Sequence, residues 1–194
     1  MNGHRLDGIV LAGGGGRRLG RAKATVVVAG KTLAERAVEA LLPHCGRIAV
    51  VSRPAIDLPP LPPAETVLDG PGPQSPLNAL ATGLAAVDAE RVLVLACDLP
   101  LAAPLVSRLA GVSLRDPVVA ADPGGRAQPL CGRYARSDAL AACADLLARG
   151  ERRLLPLLDR LGPSVVTALG GELTNVNGPS DLEAVEAVLA PRRS

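Results

Sequence analysis

The chain has 194 residues, of which 48% are hydrophobic and 21% charged. This length suits one domain, and so apolar a composition excludes a disordered chain. The net charge is +2, and the lysines and arginines are interleaved with acids, so no basic surface for nucleic acid is expected. No apolar run approaches the roughly 18 residues that cross a bilayer, and the start of the chain lacks the apolar core of a secretory signal. We expect one domain over residues 1–194, located in the cytoplasm, with no nucleic-acid or membrane partner.

Cysteine and histidine are few and poorly spaced for metal or nucleophilic chemistry. No C-x-x-C pair occurs among the four cysteines, and only two histidines could join them. A zinc site, a disulfide framework and a Ser-His-Asp mechanism are therefore not indicated. We expect four buried thiols in a reducing compartment. A single tyrosine is the only aromatic residue, so a bound base would lie against aliphatic side chains and backbone.

Short apolar runs alternate with helical patterns along the chain, which indicates βαβ units and a mainly parallel sheet covered on both faces. Strands are predicted at residues 8–12, 47–52, 91–96, 117–121, 128–134 and 163–168. The first helix is predicted to begin at a capping box, Thr32-x-x-Glu35, and to end near Pro43. Further helices are predicted at residues 77–87, 101–109, 138–148, 152–161 and 181–189, the last of them after Pro179.

Two stretches interrupt the alternation. Residues 54–76 contain eight prolines and predict a long irregular connection, which in a compact domain is usually functional or mobile. Residues 122–125 read Asp-Pro-Gly-Gly, a turn that is predicted to close an antiparallel hairpin between two strands. The fold class predicted from these elements is α/β, with a mainly parallel sheet that includes an antiparallel strand or hairpin.

The most informative segment follows the first predicted strand and reads LAGGGGRRLGRAK over residues 11–23. The run Gly13 to Gly16 lets the backbone approach a ligand closely, and its consecutive amides form a concave anion site. Arg17 and Lys23, with the arginines between them, add positive charge. Because four glycines in a row cost ordering entropy on folding, a ligand explains them better than a surface loop does. We predict that this loop binds a polyphosphate.

Two other glycine-rich loops differ from this one at defined positions. A dinucleotide fold has G-x-G-x-x-G, and no register of this segment contains it. A P-loop has G-x-x-x-x-G-K-[ST]. The segment from Gly15 to Gly20 has that spacing, but Arg21 and Ala22 replace the lysine and the hydroxyl residue. The dinucleotide interpretation is excluded, whereas the P-loop interpretation is weakened but stays open.

Six motifs follow one another along the chain: residues 11–23, LDGPGP at 68–73, ACDLP at 96–100, QPL at 128–130, GERR at 150–153 and TNVNGPSDL at 174–182. In the order and spacing of these motifs the chain resembles the molybdenum cofactor guanylyltransferase (MobA-type) family, within the nucleotidyltransferases that begin LAGG-x-x-x-RMG-x-x-K. The first motif alone indicates a nucleotidyltransferase, whereas GPGP, GERR and NVN together make the molybdopterin branch more specific. The resemblance covers nearly the whole chain.

The resemblance implies one nucleotidyltransferase domain with a three-layer Rossmann-like fold. It also implies transfer of GMP from magnesium-bound GTP to the terminal phosphate of molybdopterin, which yields molybdopterin guanine dinucleotide and pyrophosphate. Mg²⁺ is the implied cofactor. The candidate catalytic residues are Lys23, Asp98 as the metal ligand, and Arg17 as a further positive charge. The implied nucleotide-binding residues are Leu11, Ala12, Gly13, Gly14, Lys23, Ser52, Asp69 and Asp98. The implied acceptor-binding residues are Asn175, Asn177, Arg152, Arg153 and Gln128.

These candidates also have simpler structural interpretations. Asp98 lies two residues before Pro100, where an aspartate would cap a helix, and Asp69 before Gly70 would suit a turn. The two asparagines would shape the turn before the last helix, and the paired arginines would form a solvated helix start. However, the three strongest motifs each follow a parallel-type strand. We therefore expect them to meet at the carboxyl edge of the sheet, where open α/β folds bind ligands.

The chain departs from the family pattern at a few positions. Leu19 stands where methionine is usual, Ala22 replaces an acidic residue, and the common GPLAG reads GPQSPLNAL. The asparagine that often follows the second strand is absent from Val51-Ser52-Arg53. These departures leave open the same chemistry on CTP or on a sugar phosphate acceptor, and also an inactive nucleotide-binding adaptor of the same fold.

A third class, a P-loop phosphohydrolase, would hydrolyse the triphosphate without any acceptor. As partners we expect the small molecules GTP and molybdopterin, and transient contacts with molybdopterin-delivering proteins or molybdoenzymes. We expect a monomer or a weak homo-oligomer.

Overall fold

The computed structural model of the chain describes residues 6–70 and 74–190. Its strands are β1 (Leu6–Leu11), β2 (Val27–Val28), β3 (Lys31–Thr32), β4 (Cys45–Ser52), β5 (Glu65–Leu68), β6 (Arg91–Ala96), β7 (Val118–Ala121), β8 (Ala127–Ala135) and β9 (Ser164–Thr167). Its helices are α1 (Leu33–Leu41), α2 (Pro76–Ala85), α3 (Ala103–Gly111), α4 (Arg136–Ala148), α5 (Leu155–Leu161) and α6 (Pro179–Leu189). Two single-turn 3-10 helices, Arg17–Leu19 and Lys23–Thr25, lie between β1 and β2.

Seven of the strands form one sheet in the order β5-β4-β1-β6-β8-β7-β9. The neighbours in this sheet are parallel except around β8, which runs antiparallel to both β6 and β7. The turn between β7 and β8 is closed by a hydrogen bond from the Gly125 amide to the Asp122 carbonyl, 2.9 Å long. The predicted α/β fold, with a mainly parallel sheet and an antiparallel hairpin, is confirmed.

Helices cover both faces of the sheet because its central strands are apolar on both sides. All six residues of β1 are buried. On one face Val10 joins a core with α1 and α3, and on the other face Ile9 joins a core with α2, α4 and α5. A Cβ built on Gly83 of α2 would lie 2.5 Å from a methyl group of Ile9, so this glycine lets the helix pack closely against β1. The implied three-layer arrangement is confirmed.

The starts of three helices can be compared with the predicted helix boundaries. At α1, the Glu35 amide donates to Thr32 Oγ1 at 3.1 Å and the Thr32 amide donates to Glu35 Oε2 at 2.6 Å, which is the predicted capping box. Helix α3 begins at Ala103 rather than residue 101, and α5 begins at Leu155 rather than residue 152. In α3 and α5, which both begin later than predicted, a proline occupies the first turn, where its missing amide costs no hydrogen bond.

The prediction of an irregular connection over residues 54–76 is wrong in one part. Residues Glu65–Leu68 form β5, a parallel edge strand that pairs with β4, for example Val67 with Val51. This strand is short and has prolines on both sides, so its own pattern is weak, and β4 supplies the pairing. The small hairpin of β2 and β3 is also missing from the predicted elements. It turns at Ala29 and Gly30, which have φ angles of 44° and 79°.

Four neighbouring parallel strands, β5, β4, β1 and β6, end at the same edge of the sheet. The glycine loop follows β1, Ser52 ends β4, Asp69 follows β5, and Asp98 follows β6. Helix α6 packs against the β2-β3 hairpin through Val28 and Val185. The expected meeting of the motifs therefore takes place at this carboxyl edge. Within residues 6–70 and 74–190, no helix combines the length and the hydropathy that a membrane span requires.

Candidate functional site

The glycine loop is a compact turn whose glycines have different surroundings. The Lys23 amide donates to the Gly14 carbonyl at 3.2 Å, so the loop folds back onto its own beginning. A Cβ built on Gly16 would overlap the carbonyl oxygen of Arg21, whereas one built on Gly15 would meet no atom within 4 Å. The buried Gly16 is thus required by packing, and the exposed Gly15 faces open space.

Three of the sequence motifs meet at one side chain, that of Lys23. Its Nζ donates to Asp98 Oδ2 at 2.7 Å and to Asn177 Oδ1 at 2.5 Å. The side chains of Lys23 and Asp98 are only 16% and 19% exposed. In addition, the Val176 amide donates to the Asp98 carbonyl at 2.9 Å, which ties the NVN segment to the end of β6. The ion pair is therefore held by backbone as well as by side chains.

The interpretation of Asp98 as a helix cap is wrong. Helix α3 begins at Ala103, and its N-cap residue is Ala102, without a capping side chain. Asp98 instead lies in the short turn between β6 and α3, with its carboxylate directed at Lys23. Its charge is thus not needed for the start of a helix.

The two asparagines of the NVN segment differ in their contacts. Asp181 Oδ2 accepts hydrogen bonds from the amides of Asn177 and Gly178, at 2.8 and 3.0 Å. This carboxylate therefore shapes the start of α6, and the Asn177 side chain joins the ion pair described above. Asn175 Nδ2 donates to the Leu173 carbonyl at 3.2 Å, so Asn175 does contribute to the shape of the turn.

Asp69 is anchored to helix α2 rather than to a turn of its own. Its amide donates to the Ser52 carbonyl at 2.7 Å. Its Oδ1 accepts a hydrogen bond from Asn78 Nδ2 at 2.9 Å, and the Thr82 hydroxyl lies 3.5 Å away. Contacts of this kind fix the direction of the carboxylate, so the end of β5 presents Asp69 in one orientation.

The unusual GPQSPLNAL segment has a structural role in this contact. Ser75 is the N-cap of α2, and its hydroxyl accepts from the Asn78 amide at 3.1 Å. Pro76 follows in the first turn, where proline is favoured. The serine cap and the asparagine together set the helix turn that holds Asp69. Pro71 to Pro73, which belong to the LDGPGP motif, lie outside the described residues.

A cavity of about 170 Å³ opens between the glycine loop, β5 and β6. It is lined by Leu11, Gly13, Gly14, Lys23, Arg53, Asp69, Ser75, Pro76, Ala79, Ala96, Cys97, Asp98 and Leu130. A wider cavity of about 480 Å³ beneath the glycine loop shares Gly13 and Arg53 with it. The wall combines charged side chains with aliphatic ones, which suits a nucleotide that has both phosphates and a base.

The remaining nucleotide-binding candidates have mixed positions. Ala12 is fully buried, and its amide donates to the Val51 carbonyl at 2.8 Å. Ser52 is buried too, and it is absent from the lining of both cavities. Arg53, which was not predicted, lines both of them. The side chain of Arg17 lies outside the described part of the chain.

A second large cavity, of about 500 Å³, lies next to the ion pair on the side of β8 and α5. It is lined by Asp122, Arg126, Ala127, Gln128, Pro129, Leu154, Leu155, Leu173, Asn175 and Asn177. Three of the acceptor-binding candidates, Gln128, Asn175 and Asn177, therefore share one cavity. Arg126 was not predicted, although its place beside the QPL motif could have indicated it.

Arg152 and Arg153 are absent from the lining of this acceptor-side cavity. Both are exposed, and they precede α5 rather than begin it. Arg153 forms an ion pair of 2.8 Å with Glu151, and its hydrogen bond holds the pKa of Glu151 down at about 2. The two arginines directly precede Leu154, which lines this cavity. Their contact with an acceptor stays a prediction.

The oxygen atoms beside Lys23 suit a hard metal cation, whereas the nearby cysteine does not suit a thiol mechanism. Asp98 and Asn177 direct two oxygens at the same ammonium group. Magnesium takes oxygen ligands, commonly one or two carboxylates with substrate phosphates and water, so these residues fit Mg²⁺. Over the described ranges, no cluster of three or more His, Cys, Asp or Glu residues forms a closed metal site. Burial raises the pKa of the nearby Cys97 thiol to about 12, which excludes a thiolate nucleophile there.

Another cavity, of about 200 Å³, lies at the opposite edge of the sheet and contains none of the candidate residues. Asp116 in its wall pairs with Arg91 and with the fully buried Arg133, at 2.6 and 2.7 Å. Its carboxylate is thus occupied in holding the fold together. The chemistry-bearing groups are concentrated at the carboxyl edge.

Comparison with known proteins agrees with this arrangement. Residues 8–163 match the family model of the MobA-like NTP transferase domain. A probable molybdenum cofactor guanylyltransferase from Chloroflexus aggregans is 34% identical, with 95% of each chain covered, and one from Mycobacterium tuberculosis is 36% identical, with 92% of each covered.

Solved structures share the fold at lower sequence identity. Molybdopterin-guanine dinucleotide biosynthesis protein A from Archaeoglobus fulgidus is 24% identical, with a TM-score of 0.73 over 95% of this chain and 99% of that one. The 2-C-methyl-D-erythritol 4-phosphate cytidylyltransferase from Thermus thermophilus is 21% identical, with a TM-score of 0.70 over 94% and 98%. From the family match and the near full-length relatives, the chain belongs to the MobA-like NTP transferases.

Proposed function

We propose that this protein transfers GMP from magnesium-bound GTP to the terminal phosphate of molybdopterin. The observation that carries the proposal is the meeting of Lys23, Asp98 and Asn177 at the border between two cavities. The cavity on the glycine-loop side offers amides and cations to a nucleotide, and the cavity on the β8 side offers amides to an acceptor. Two substrates bound in these cavities would bring their phosphates together beside Lys23.

The reaction needs alignment and charge cancellation more than covalent help from the protein. An oxygen of the acceptor phosphate forms a bond to the α-phosphorus of GTP, while the bond from that phosphorus to the β-phosphate oxygen breaks and pyrophosphate leaves. Repulsion between the two anions opposes this step, so fixed positive charge and oriented donors lower its barrier. Lys23 and the amides of the glycine loop supply both.

Lys23 can act on phosphate without giving up the contacts that position it. An ammonium group has three donors, and two of them are used by Asp98 and Asn177. The third can donate to a phosphate oxygen of GTP. Asp98 and Asn177 would also hold the Mg²⁺, which when bound neutralises phosphate charge. In this arrangement Lys23 lies where the phosphate groups of the two substrates meet.

For the acceptor we propose the cavity lined by Gln128, Asn175 and Asn177. Amide side chains both donate and accept, as the ring of a pterin requires. The Arg126 guanidinium in the same wall suits the terminal phosphate, because arginine binds phosphate through two parallel hydrogen bonds. Arg152 and Arg153 stay candidates for the outer part of this contact.

The near full-length relatives named molybdenum cofactor guanylyltransferase support this choice of substrates. We place the reaction in the cytoplasm, since all four cysteines are free thiols, as a reducing compartment allows. Transient contact with a molybdopterin-delivering protein belongs to the same proposal, because the acceptor must be handed over to the cavity beside β8.

The test is pyrophosphate release by the purified protein with Mg²⁺, molybdopterin and each of GTP, CTP, ATP and UTP. We expect turnover with GTP, and none when molybdopterin is omitted. Asp98→Asn should lower turnover by roughly 10²-fold or more while leaving the melting temperature almost unchanged, because the amide oxygen can still accept from Lys23. Asp57→Asn, at an exposed carboxylate in the loop after β4, is the matched control and should stay active.

Each competing function has its own outcome in this assay. Turnover with CTP alone would assign the cytosine reaction, and hydrolysis of GTP without molybdopterin would assign a phosphohydrolase. GTP binding without any turnover would assign an adaptor. An Asp98→Asn variant with full activity would remove Asp98 from the mechanism.

A further inference from the structure

Arg53 lies across the beginning of the glycine loop. It follows β4 directly, and a Cβ built on Gly13 would lie 3.4 Å from Arg53 Nε and 3.5 Å from its Cγ. The arginine side chain therefore passes beside Gly13, at an ordinary van der Waals distance from a Cβ at that position. From there it forms part of the wall of both nucleotide-side cavities.

The Nε atom of Arg53 is completely buried, yet it has no hydrogen-bond partner among the described residues. Leaving a buried donor unpaired is energetically costly. Elsewhere the protein satisfies a buried guanidinium: Arg133 donates to Asp116 and to carbonyls in the last turn of α3 and in the segment that follows it. Ser52 Oγ and Arg136 Nε are also unpaired, but neither residue lines any of the cavities described above. Nε itself is closed to solvent and so to a ligand, which leaves the terminal Nη1 and Nη2 donors of Arg53 to meet an acceptor in the cavity that this side chain lines.

The sheet order places Arg53 away from Lys23 and Asp98. Lys23 and Asp98 lie at the end of β6, whereas Arg53 follows β4, and β1 lies between these strands. Two strand spacings separate the two positions, which is about 10 Å. A nucleotide whose phosphates are held at Lys23 would extend its base toward β4 and the start of α2. The cavity wall there contains the aliphatic Leu11 and Ala79.

On the proposed function, under which GTP is the donor substrate, we propose that Arg53 recognises the base by donating to O6 and N7 of guanine. These two acceptors lie side by side on one edge of the purine, and the arginine fork matches them with two parallel hydrogen bonds. Adenine presents an amino donor at position 6, and cytosine presents one at position 4, so neither offers the same pair. Arg53 is then a specificity residue of the nucleotide site.

This inference also accounts for a departure noted in the sequence. The family often has an asparagine just after the second strand, where this chain reads Val51-Ser52-Arg53. Ser52 is buried and lies outside the cavity lining. The next residue, Arg53, is the one that lines the cavity.

The test compares GTP with 7-deaza-GTP, in which a CH group replaces N7. Binding of both nucleotides is measured by titration calorimetry for the wild type, Arg53→Met and Arg53→Lys. We expect the wild type to bind GTP roughly tenfold more tightly than 7-deaza-GTP. In Arg53→Met the two affinities should become nearly equal, through weaker binding of GTP. Arg53→Lys should behave like Arg53→Met, because an ammonium lacks the fork.

A phosphate contact would give a different result, since the triphosphate is the same in both nucleotides. If Arg53→Met weakens GTP and 7-deaza-GTP by the same factor, or if Arg53→Lys restores wild-type affinity, the base contact is overturned. Equal binding of the two nucleotides by the wild type would overturn it as well. Arg21→Met, in the wall beneath the glycine loop, is the control and should leave the ratio of the two affinities unchanged.

The proposed function and this inference fail in distinguishable ways. A wild type that binds no GTP contradicts both. A wild type that binds GTP and transfers GMP, but whose discrimination between the two nucleotides is unaffected by Arg53→Met, contradicts only the role of Arg53. Thermal melting of each variant shows that it is folded.

Discussion

The glycine loop offers a sharp test, because two adjacent glycines have opposite surroundings. Gly16 is buried, and a Cβ built on it would overlap the carbonyl oxygen of Arg21. Its φ of −81° is ordinary for any residue, so the cost of Gly16→Ala is steric and does not arise from backbone conformation. Gly15 is exposed, with no atom within 4 Å of a Cβ. The pair Gly16→Ala and Gly15→Ala therefore separates loop packing from loop flexibility.

The size of the effect follows from the overlap. To restore van der Waals separation in Gly16→Ala, the loop must open by about 1 Å between residue 16 and the Arg21 carbonyl. That carbonyl belongs to the segment just before Lys23, whose amide is bonded to Gly14. The opening would therefore displace Lys23 from Asp98. A misplacement of about 1 Å at a catalytic group can cost about 10²-fold in rate.

We therefore expect Gly16→Ala to lower kcat/KM for GMP transfer by about 10²-fold and to destabilise the fold by about 1 to 3 kcal/mol, as overpacking does. Gly15→Ala should lower kcat/KM less than Gly16→Ala does, because its Cβ faces the cavity beneath the glycine loop without displacing Lys23, and it should be neutral or slightly stabilising, because alanine restricts the unfolded chain. Pyrophosphate release measures the first quantity, and urea denaturation measures the second. If the two variants have equal kcat/KM and equal stability, the packing argument is refuted.

Two further predictions concern a residue that positions the site, Asn78, and one that stabilises the fold, Glu172. Asn78→Ala removes the donor that holds Asp69 at 2.9 Å, so we expect KM for GTP to rise by about tenfold, the loss of one good hydrogen bond, with kcat little changed in steady-state assays. Glu172 accepts 2.7 Å hydrogen bonds from Arg108 and from the Leu169 amide, and the bonds from Arg108 hold the pKa of Glu172 below its ordinary value of 4.5. Because the folded pKa is lowered, the carboxylate stabilises the fold above about pH 4.5, and this is lost as the pH falls further. Glu172→Gln should therefore lose about 1 to 3 kcal/mol in urea denaturation at pH 7, and less at pH 4.

The control for Asn78→Ala is a conservative change at another residue of α2. Thr82→Ser keeps the hydroxyl that accepts from the Gly70 amide and should leave KM unchanged. A change in kcat alone for Asn78→Ala would contradict its role in nucleotide binding. A stability difference between Glu172→Gln and the wild type that is the same at pH 7 and pH 4 would show that the charge of Glu172 does not matter.

The elements predicted from local pattern agree with the fold where the signal is strong. Central strands such as β1 and β6 are runs of apolar residues long enough to be recognised alone, and the capping box at Thr32 specifies the start of α1 within a few residues. Strand β5 was missed because four residues between prolines carry little pattern of their own. It exists because β4 offers an unpaired edge, and an edge partner depends on the sheet that is already there.

Residues of the candidate site could be predicted only where they belong to a recognisable sequence motif. The glycine run, Lys23 and Asp98 belong to such motifs. Arg53 and Arg126 lie next to such motifs rather than within them, and their sequence alone does not show that they line a cavity. Asp98 also shows the limit of local interpretation, since a cap and a partner for Lys23 look the same in sequence, and only the late start of α3 at Ala103 separates them.

The sequence by itself determined the α/β class, the glycine loop and the order of the motifs, because these depend on neighbours within a few residues. The meeting of the motifs at the carboxyl edge was expected, but only the tertiary structure decided which side chains are in contact there. Lys23 and Asp98 are 75 positions apart, and Lys23 and Asn177 are 154 apart. Contacts over such separations arise from the strand order and from the packing of α6 on the β2-β3 hairpin, which no local pattern specifies.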